Sequence, residues 1–466
     1  MNLTIRELTG ILNGQLVLGD PKEKIARVTV DSRDVKSGDV FFALKGQRSD
    51  GHDYCLTSSR QGALAVVVSR LDWLKPSVHF SAAVIRVDNP LEALQILGQH
   101  LRKSFRGQVV GITGSNGKTT TKNMLSGILK LTGPGLATQG NLNSQVGLPM
   151  VLSELKSSDQ WMVLEMGASE PGNIHRLAEI ACPQIGIITS IGPAHLATFG
   201  SISRVAETKW ELMEALPANG CGILPWGEAS LEGHIRRFSK KIVFFGEDSA
   251  CTVRASNIES GEKLKFQLKI GGRAVAISLP VGGRFNVQNA LAAAAAAWVM
   301  EVPLEIIAQG LSEFTPPPMR MERMIHYTGA VIINDAYNAN PASMMNSVLS
   351  FTESFPDKKK YAVVGSMLEL GVESEKFHFH VGTELGRCPL EKVFLIGEET
   401  KTIKEGALAA GAPSHRFVYV PNLNEIKDNL KPLLNNNVAV LFKGSRAMNL
   451  DKIVNDLFQE KSVEKV

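Results

Sequence analysis

The chain has 466 residues, a length that predicts about three domains at ~150 residues each and excludes a single small module. Its 50 Lys plus Arg against 46 Asp plus Glu leave a formal charge of +4, too slight for a nucleic-acid binder that works by neutralising phosphates. Hydrophobic residues make up 44%, and no apolar run approaches the ~18 residues of a bilayer span, so no membrane insertion is expected.

Met1 to Asp20 lacks a basic stretch followed by an apolar block, which predicts a cytoplasmic setting. From Ala26 to Val68 the runs Arg27-Val-Thr-Val30 and Leu64-Ala-Val-Val-Val68, with one helix before Gly62, predict a small α/β domain ending near Phe105. The apolar strand Gln108-Val-Val-Gly-Ile112 then leads through a glycine turn into a helix from about Thr119 to Leu131. Trp161-Met-Val-Leu164 and Ile185-Gly-Ile-Ile188 read as further buried strands between helices, the alternation of a parallel sheet covered on both faces. Between Lys240 and Pro280 the period changes to two, with Gly271-Gly272 at a turn, predicting an antiparallel appendage. Ala292 to Ala297 lie inside a helix from Asn286 to Met300.

Pro316-Pro-Pro318 disfavours helix and strand alike and predicts a hinge. Beyond it Val331-Ile-Ile333, Tyr361-Ala-Val-Val364, Val393-Phe-Leu-Ile396 and Val438-Ala-Val-Leu-Phe442 alternate with helices. The expected architecture is therefore α/β in three units, 1–105, 106–315 and 316–466. Cys55, Cys182, Cys221, Cys251 and Cys388 never form a C-x-x-C pair and are expected to be reduced thiols, mostly in cores.

The strongest chemical signal is Gly111-Ile-Thr-Gly-Ser-Asn-Gly-Lys-Thr-Thr120. Glycines free backbone N–H groups to wrap a phosphate at a helix start, where the dipole also favours an anion. Gly114, Ser115, Asn116, Gly117 and Thr120 belong to that cradle, Lys118 would neutralise the transferred phosphate, and Thr119 could hold magnesium. Such a loop leaves switches, kinases, motors and ligases open. Glu165 ends a buried strand, where parallel sheets present ligand groups, and either contacts a second magnesium or caps the next helix. His195 follows another such strand, as a cation ligand or a packed bystander. Lys209 lies in the helical run Ser203 to Leu216, where a lysine is ordinarily solvated.

With these residues together, the chain resembles the Mur ligase family, ATP-dependent amide-forming enzymes of bacterial peptidoglycan synthesis, over essentially its whole length. Asp31-Ser-Arg33, Gly38-Asp-Val-Phe-Phe-Ala-Leu44 and Asp50-Gly-His52 resemble the family's UDP-sugar-binding domain, and Thr138-Gln-Gly-Asn-Leu-Asn143 its central substrate loop. The resemblance implies substrate contacts from Ser32, Arg33, Asn141 and Asn143, and adenine contacts from Asn286 and Asn289, with Phe285 where His is usual. It also implies a phosphate-reaching Arg320, a ribose-binding Asp335 and a Rossmann-like third domain. Asp335-Ala-Tyr-Asn-Ala-Asn-Pro-Ala-Ser343, holding Asn338 and Asn340, is similar to the members that add a dipeptide, as are Met367-Leu-Glu-Leu-Gly371 and Lys443-Gly-Ser-Arg446. Asn338 and Asn340 read equally well as a polar turn before Pro341. Ala197, Ser366 and Asp451 depart from the family's common Glu, Asp and Glu.

What the resemblance implies is an ATP-dependent ligase with UDP-N-acetylmuramoyl-tripeptide as the acid, D-alanyl-D-alanine as the amine, an acyl-phosphate intermediate and two magnesium ions. Thr119, Glu165, His195 and Lys209 would be the metal-side residues. Lys209 stands where the family carries a carbamylated lysine; a carbamate on the metal and an unmodified lysine near phosphate both remain open. A monomer is expected. The rivals are a sibling ligase adding one amino acid, a folylpolyglutamate synthase, and a P-loop switch; no G-x-G-x-x-G supports a Rossmann oxidoreductase.

Overall fold

Uninterrupted β-branched and apolar runs can be buried on both faces only in a sheet covered by helices on each side, and three such sheets organise this chain. The structure, a computed structural model, describes residues 3–46, 49–75 and 80–459. The first sheet has five strands in the order Gln15–Leu18, Ala83–Arg86, Ala65–Val68, Val40–Phe42, Val28–Thr29. All neighbours are parallel except the first pair. The helix anticipated before Gly62 is Cys55–Arg60.

The second sheet has nine strands. Gly135–Ala137, Trp161–Glu165, Gln108–Thr113, Ile185–Ile188, Cys221–Pro225 and Lys241–Gly246 run parallel in that spatial order. The expected antiparallel appendage is a continuation of this sheet. Val253–Glu259 joins Lys241–Gly246 in parallel, and the hairpin Leu264–Ile270 with Arg273–Leu279 is laid on antiparallel. Alternate hairpin residues, Leu264, Phe266, Leu268 and Ile270, enter the same core as helix Phe285–Val299, so burial rather than a boundary decides where the hairpin goes. That helix is buried all round its alanine run, and the small side chains let it lie between the sheet and helix Lys118–Lys130.

The third sheet has six strands ordered Glu322–Ile325, Val331–Asn334, Val438–Lys443, Lys359–Gly365, Lys392–Ile396, Phe417–Tyr419, parallel after an antiparallel first pair. Pro316–Pro318 lie in the irregular segment between helix Leu304–Ser312 and the edge strand Glu322–Ile325. The five cysteines are free thiols; Cys182 alone is exposed and the other four are buried. Among the described residues no helix is long and apolar enough to cross a membrane.

Candidate active site

The carboxyl ends of the parallel strands meet at one edge of the central sheet, where α/β folds place their ligands. Strand Gln108–Thr113 ends there in a turn that only glycine fits well. Gly114 has φ +147° and Gly117 φ +83°, and a Cβ on Gly117 would stand 2.2 Å from Asn289 Oδ1. The amides of Ser115 and Asn116 are held by Ser190, at 2.9 and 3.0 Å. The phosphate cradle is therefore narrower than the sequence suggests, and rests on the amides at the start of helix Lys118–Lys130, which have no intrahelical acceptor. Lys118 Nζ curls back to donate to Gly114 O at 2.7 Å, and burial holds its pKa below the usual lysine range against the pull of Glu165.

Glu165, the last residue of strand Trp161–Glu165, is 2% exposed. It caps no helix: the next one, Asn173–Ala181, starts behind Gly172. Instead Thr119 Oγ1 and Asn143 Nδ2 each donate to its carboxylate at 2.8 Å. Arg320 Nη2 reaches Thr119 Oγ1 at 3.0 Å from beyond the proline segment, its guanidinium 4.1 Å over the Tyr337 ring.

His195 sits at φ +52° with Nδ1 2.6 Å from Glu369 Oε2. Burial lowers its pKa, with Lys118 and Lys209 adding to the effect against Glu369. The neutral ring thus donates Nδ1–H to Glu369 and keeps the Nε2 lone pair free. Lys209, on helix Ile202–Glu214, is not solvated: it is 2% exposed, and burial with the neighbouring Lys118 charge pulls its pKa down to about 7. Lys118, Glu165, His195 and Lys209 line one cavity of about 560 Å³, together with Asn143, Asn338 and Asn340.

A second cavity of about 500 Å³ shares Asn116 and Gly117 with it and is lined by Thr120, Phe285, Asn286, Asn289, Arg320 and Asp335. Asn289 Nδ2 donates to Asn286 Oδ1 at 3.1 Å and Asn286 Nδ2 to Gly282 O at 2.8 Å. Asp335 is fixed by Ser347 Oγ, by Met321 N at 3.0 Å and by Lys443 Nζ at 2.7 Å. A third cavity, of about 1410 Å³, takes in Asn141.

Two expectations are met differently. Ser32 and Arg33 lie on a single helical turn in the first unit, outside all three cavities, with Arg33 87% exposed and paired to Asp31. Asn340 is the N-cap of helix Pro341–Ser354, as the polar-turn reading has it, and also donates to Asn116 Oδ1 at 2.8 Å. Sequence reasoning missed Glu369 as the partner of His195 and Lys122 as a buried cation. The signal for Lys122 was its place one helical turn after Lys118; Glu369 was noticed only as part of a distinguishing segment.

Hard oxygen donors from Thr119 and Glu165 stand together, a set that suits magnesium shared with phosphate oxygens. Among the described residues no three His, Cys, Asp or Glu side chains form a metal-holding group by themselves.

Three family profiles match this chain in order: the Mur ligase family catalytic domain over residues 24–102, the Mur ligase middle domain over 112–297, and the Mur ligase glutamate ligase domain over 319–446. A UDP-N-acetylmuramoyl-tripeptide–D-alanyl-D-alanine ligase of Bacillus subtilis is 34% identical, covering 98% of each chain. The chain belongs to the Mur ligase family. MurF of Acinetobacter baumannii superposes on this Mur ligase with TM-score 0.89 at 31% identity, covering 98% of this chain and 99% of that one. MurF of Thermotoga maritima, solved in complex with ADP, gives 0.81 at 28% identity over 94% and 98%. Two departures of this Mur ligase now have neighbours: Ala197 N donates to Glu369 O at 3.2 Å, and Asp451 pairs with Arg446 at 3.0 Å.

Proposed function

We propose that this Mur ligase uses ATP to join D-alanyl-D-alanine to UDP-N-acetylmuramoyl-tripeptide, giving the pentapeptide, ADP and phosphate. The observation that carries the reading is the constellation of Lys118, Thr119, Glu165 and Arg320 at the junction of two cavities, in a chain alike over nearly its full length to ligases of that name. A free carboxylate is a poor acyl donor because it would have to expel an oxide. Transfer of the γ-phosphoryl group to it gives an acyl phosphate; the amine then forms the C–N bond as the C–O bond breaks, phosphate leaves with the electron pair, and the nitrogen sheds a proton.

Lys118 and the amides at the helix start spread the charge of the moving phosphoryl group, and Arg320 brings a further cation from the third unit. The cavity beside Phe285, Asn286 and Asn289 suits the base, with Asp335 in reach of the ribose. Asn143, Asn338 and Asn340 serve the acid and amine end, while Ser32 and Arg33 serve the UDP end in unit 1–105. Units 106–315 and 316–466 share the nucleotide. When bound, magnesium would neutralise phosphate charge, held by Thr119 and Glu165 at one position and by Glu165, His195 and a Lys209 carbamate at another. A neutral, buried amine is the form that carbon dioxide modifies, which the lowered pKa of Lys209 favours. Lys209→Ala should be nearly inactive, with partial rescue by a short carboxylate; no rescue, and a carbon-13 spectrum without a carbamate signal, would leave the lysine unmodified.

The acyl-phosphate step is tested with tripeptide labelled by oxygen-18 in the reacting carboxyl group. One label per turnover should appear in the released phosphate. Unlabelled phosphate would exclude the intermediate.

A further inference from the structure

Lys122 stands one helical turn after Lys118 on helix Lys118–Lys130, so both side chains leave the same side of the helix. Lys118 turns back to its own loop, whereas Lys122 reaches across to the end of the edge strand Gly135–Ala137, where its Nζ donates to Thr138 O at 2.6 Å. Lys122 is 4% exposed, and this is its one hydrogen bond among the described residues, which leaves two ammonium hydrogens without an acceptor. A buried charge so placed is unfavourable unless an opposite charge lies close by. Glu165 is that charge: burial lowers the Lys122 pKa, and Glu165 pulls the other way.

Thr138 is the point that this bond fixes. It is buried; its amide donates to Val163 O at 3.0 Å, and its Oγ1 accepts from Glu165 N at 2.9 Å. Strand Gly135–Ala137 has only three residues paired, at the edge of the central sheet, and so short an edge frays unless something holds its end. The loop that leaves Thr138 comes back at Asn143, whose O accepts from Gly167 N at 2.8 Å and whose Nδ2 donates to Glu165 Oε1 at 2.8 Å. One segment therefore grips Glu165 twice, at its amide and at its carboxylate, and Lys122 grips the start of that segment.

We propose that Lys122 is a positioning residue for the magnesium-side carboxylate: by holding Thr138 O it fixes segment 138–143, and through that segment the direction in which Glu165 presents its oxygens. The inference rests on the ligase reading above, which gives Glu165 to the metal, and adds a residue that acts on the metal only through others. Groups that orient a metal ligand from outside contribute roughly ten- to a hundredfold in metal affinity or activity. A neutral donor at this position would keep the bond to Thr138 O without the charge that faces Glu165, so the position calls for a cation.

The test is manganese binding to the full-length enzyme with ADP present, followed by electron spin resonance, alongside phosphate release titrated with magnesium. Lys122→Met should weaken manganese binding by roughly tenfold or more and raise the half-saturating magnesium concentration to match, with KM for the UDP-tripeptide and for D-alanyl-D-alanine in place. Lys122 lines the 1410 Å³ cavity, which has room for the longer side chain of Lys122→Arg, and that variant should recover part of both. Thr138→Val leaves the carbonyl for Lys122 but removes the hydroxyl that accepts from Glu165 N. It should shift manganese binding in the same direction, and it stands in for Lys122→Met if thermal melting shows that variant unfolded. Unchanged manganese binding in folded Lys122→Met, or in Thr138→Val where it stands in, overturns the proposal, because a lysine that only stabilises the fold leaves the metal alone. A raised KM for either substrate with manganese affinity unchanged overturns it too, by making the ammonium a substrate contact. If the unmodified enzyme consumes no dipeptide at all, the ligase reading fails, while the manganese measurement still decides the role of Lys122.

Discussion

Lys118 touches two carbonyls of its own loop rather than any acid, so its charge is held in reserve for a phosphate. Lys118→Ala should lower kcat by about a thousandfold or more, since such a cation contributes several kcal/mol to the transition state. Calorimetry should still find the UDP-tripeptide bound; a folded variant with near-normal turnover would show that this loop does not hold the reacting phosphate. His378 gives a pH dependence of different origin. Its ring is buried, with Nε2 accepting from Met367 N at 3.0 Å and Nδ1 donating to Ser374 O at 2.8 Å, and burial lowers its pKa. A base with a depressed folded pKa binds fewer protons folded than unfolded, so its stabilisation is full above the unfolded value near 6.5 and is lost as pH falls below it. The melting temperature should drop between about pH 7.5 and 5.5, and drop less steeply in His378→Gln; parallel declines would remove His378 as a cause.

At the scale of single elements, helix Pro341–Ser354 has its first turn tied both to itself and to the phosphate loop through Asn340. Asn340→Ser should keep the cap and lose the clasp on Asn116, whereas Asn340→Ala should lose both and about 1 kcal/mol of stability besides. Equal melting temperatures for the two variants would mean that the cap contributes nothing. Elements such as Ile185–Ile188 and Val438–Lys443 were legible because strands buried on both faces leave unbroken apolar runs. Gln15–Leu18 was not, being an edge strand with mostly exposed residues, and Gly135–Ala137 is too short for a period. The site followed the same logic. Lys118 opens a helix behind a glycine turn and Glu165 ends a buried strand, places that local pattern reveals, but the His195–Glu369 contact joins residues far apart in sequence, which no local spacing encodes.

For the whole molecule, contacts from the third unit close over the phosphate loop at two places, Arg320 on Thr119 and Asn340 on Asn116, and a further one joins Glu369 to His195 in the same cavity. A nucleotide shared between the two units enters only if these contacts part, which makes domain motion part of the cycle. Small-angle scattering should register a smaller radius of gyration with an ATP analogue and the acid than without them; an unchanged radius would make the contacts permanent. The most direct measurement is the product mass after incubation with ATP, UDP-N-acetylmuramoyl-tripeptide and an equal mixture of D-alanine and D-alanyl-D-alanine. A dipeptide-adding ligase gives a single step to the pentapeptide, with phosphate release that needs both acid and dipeptide; a tetrapeptide product with the dipeptide refused is incompatible with that activity.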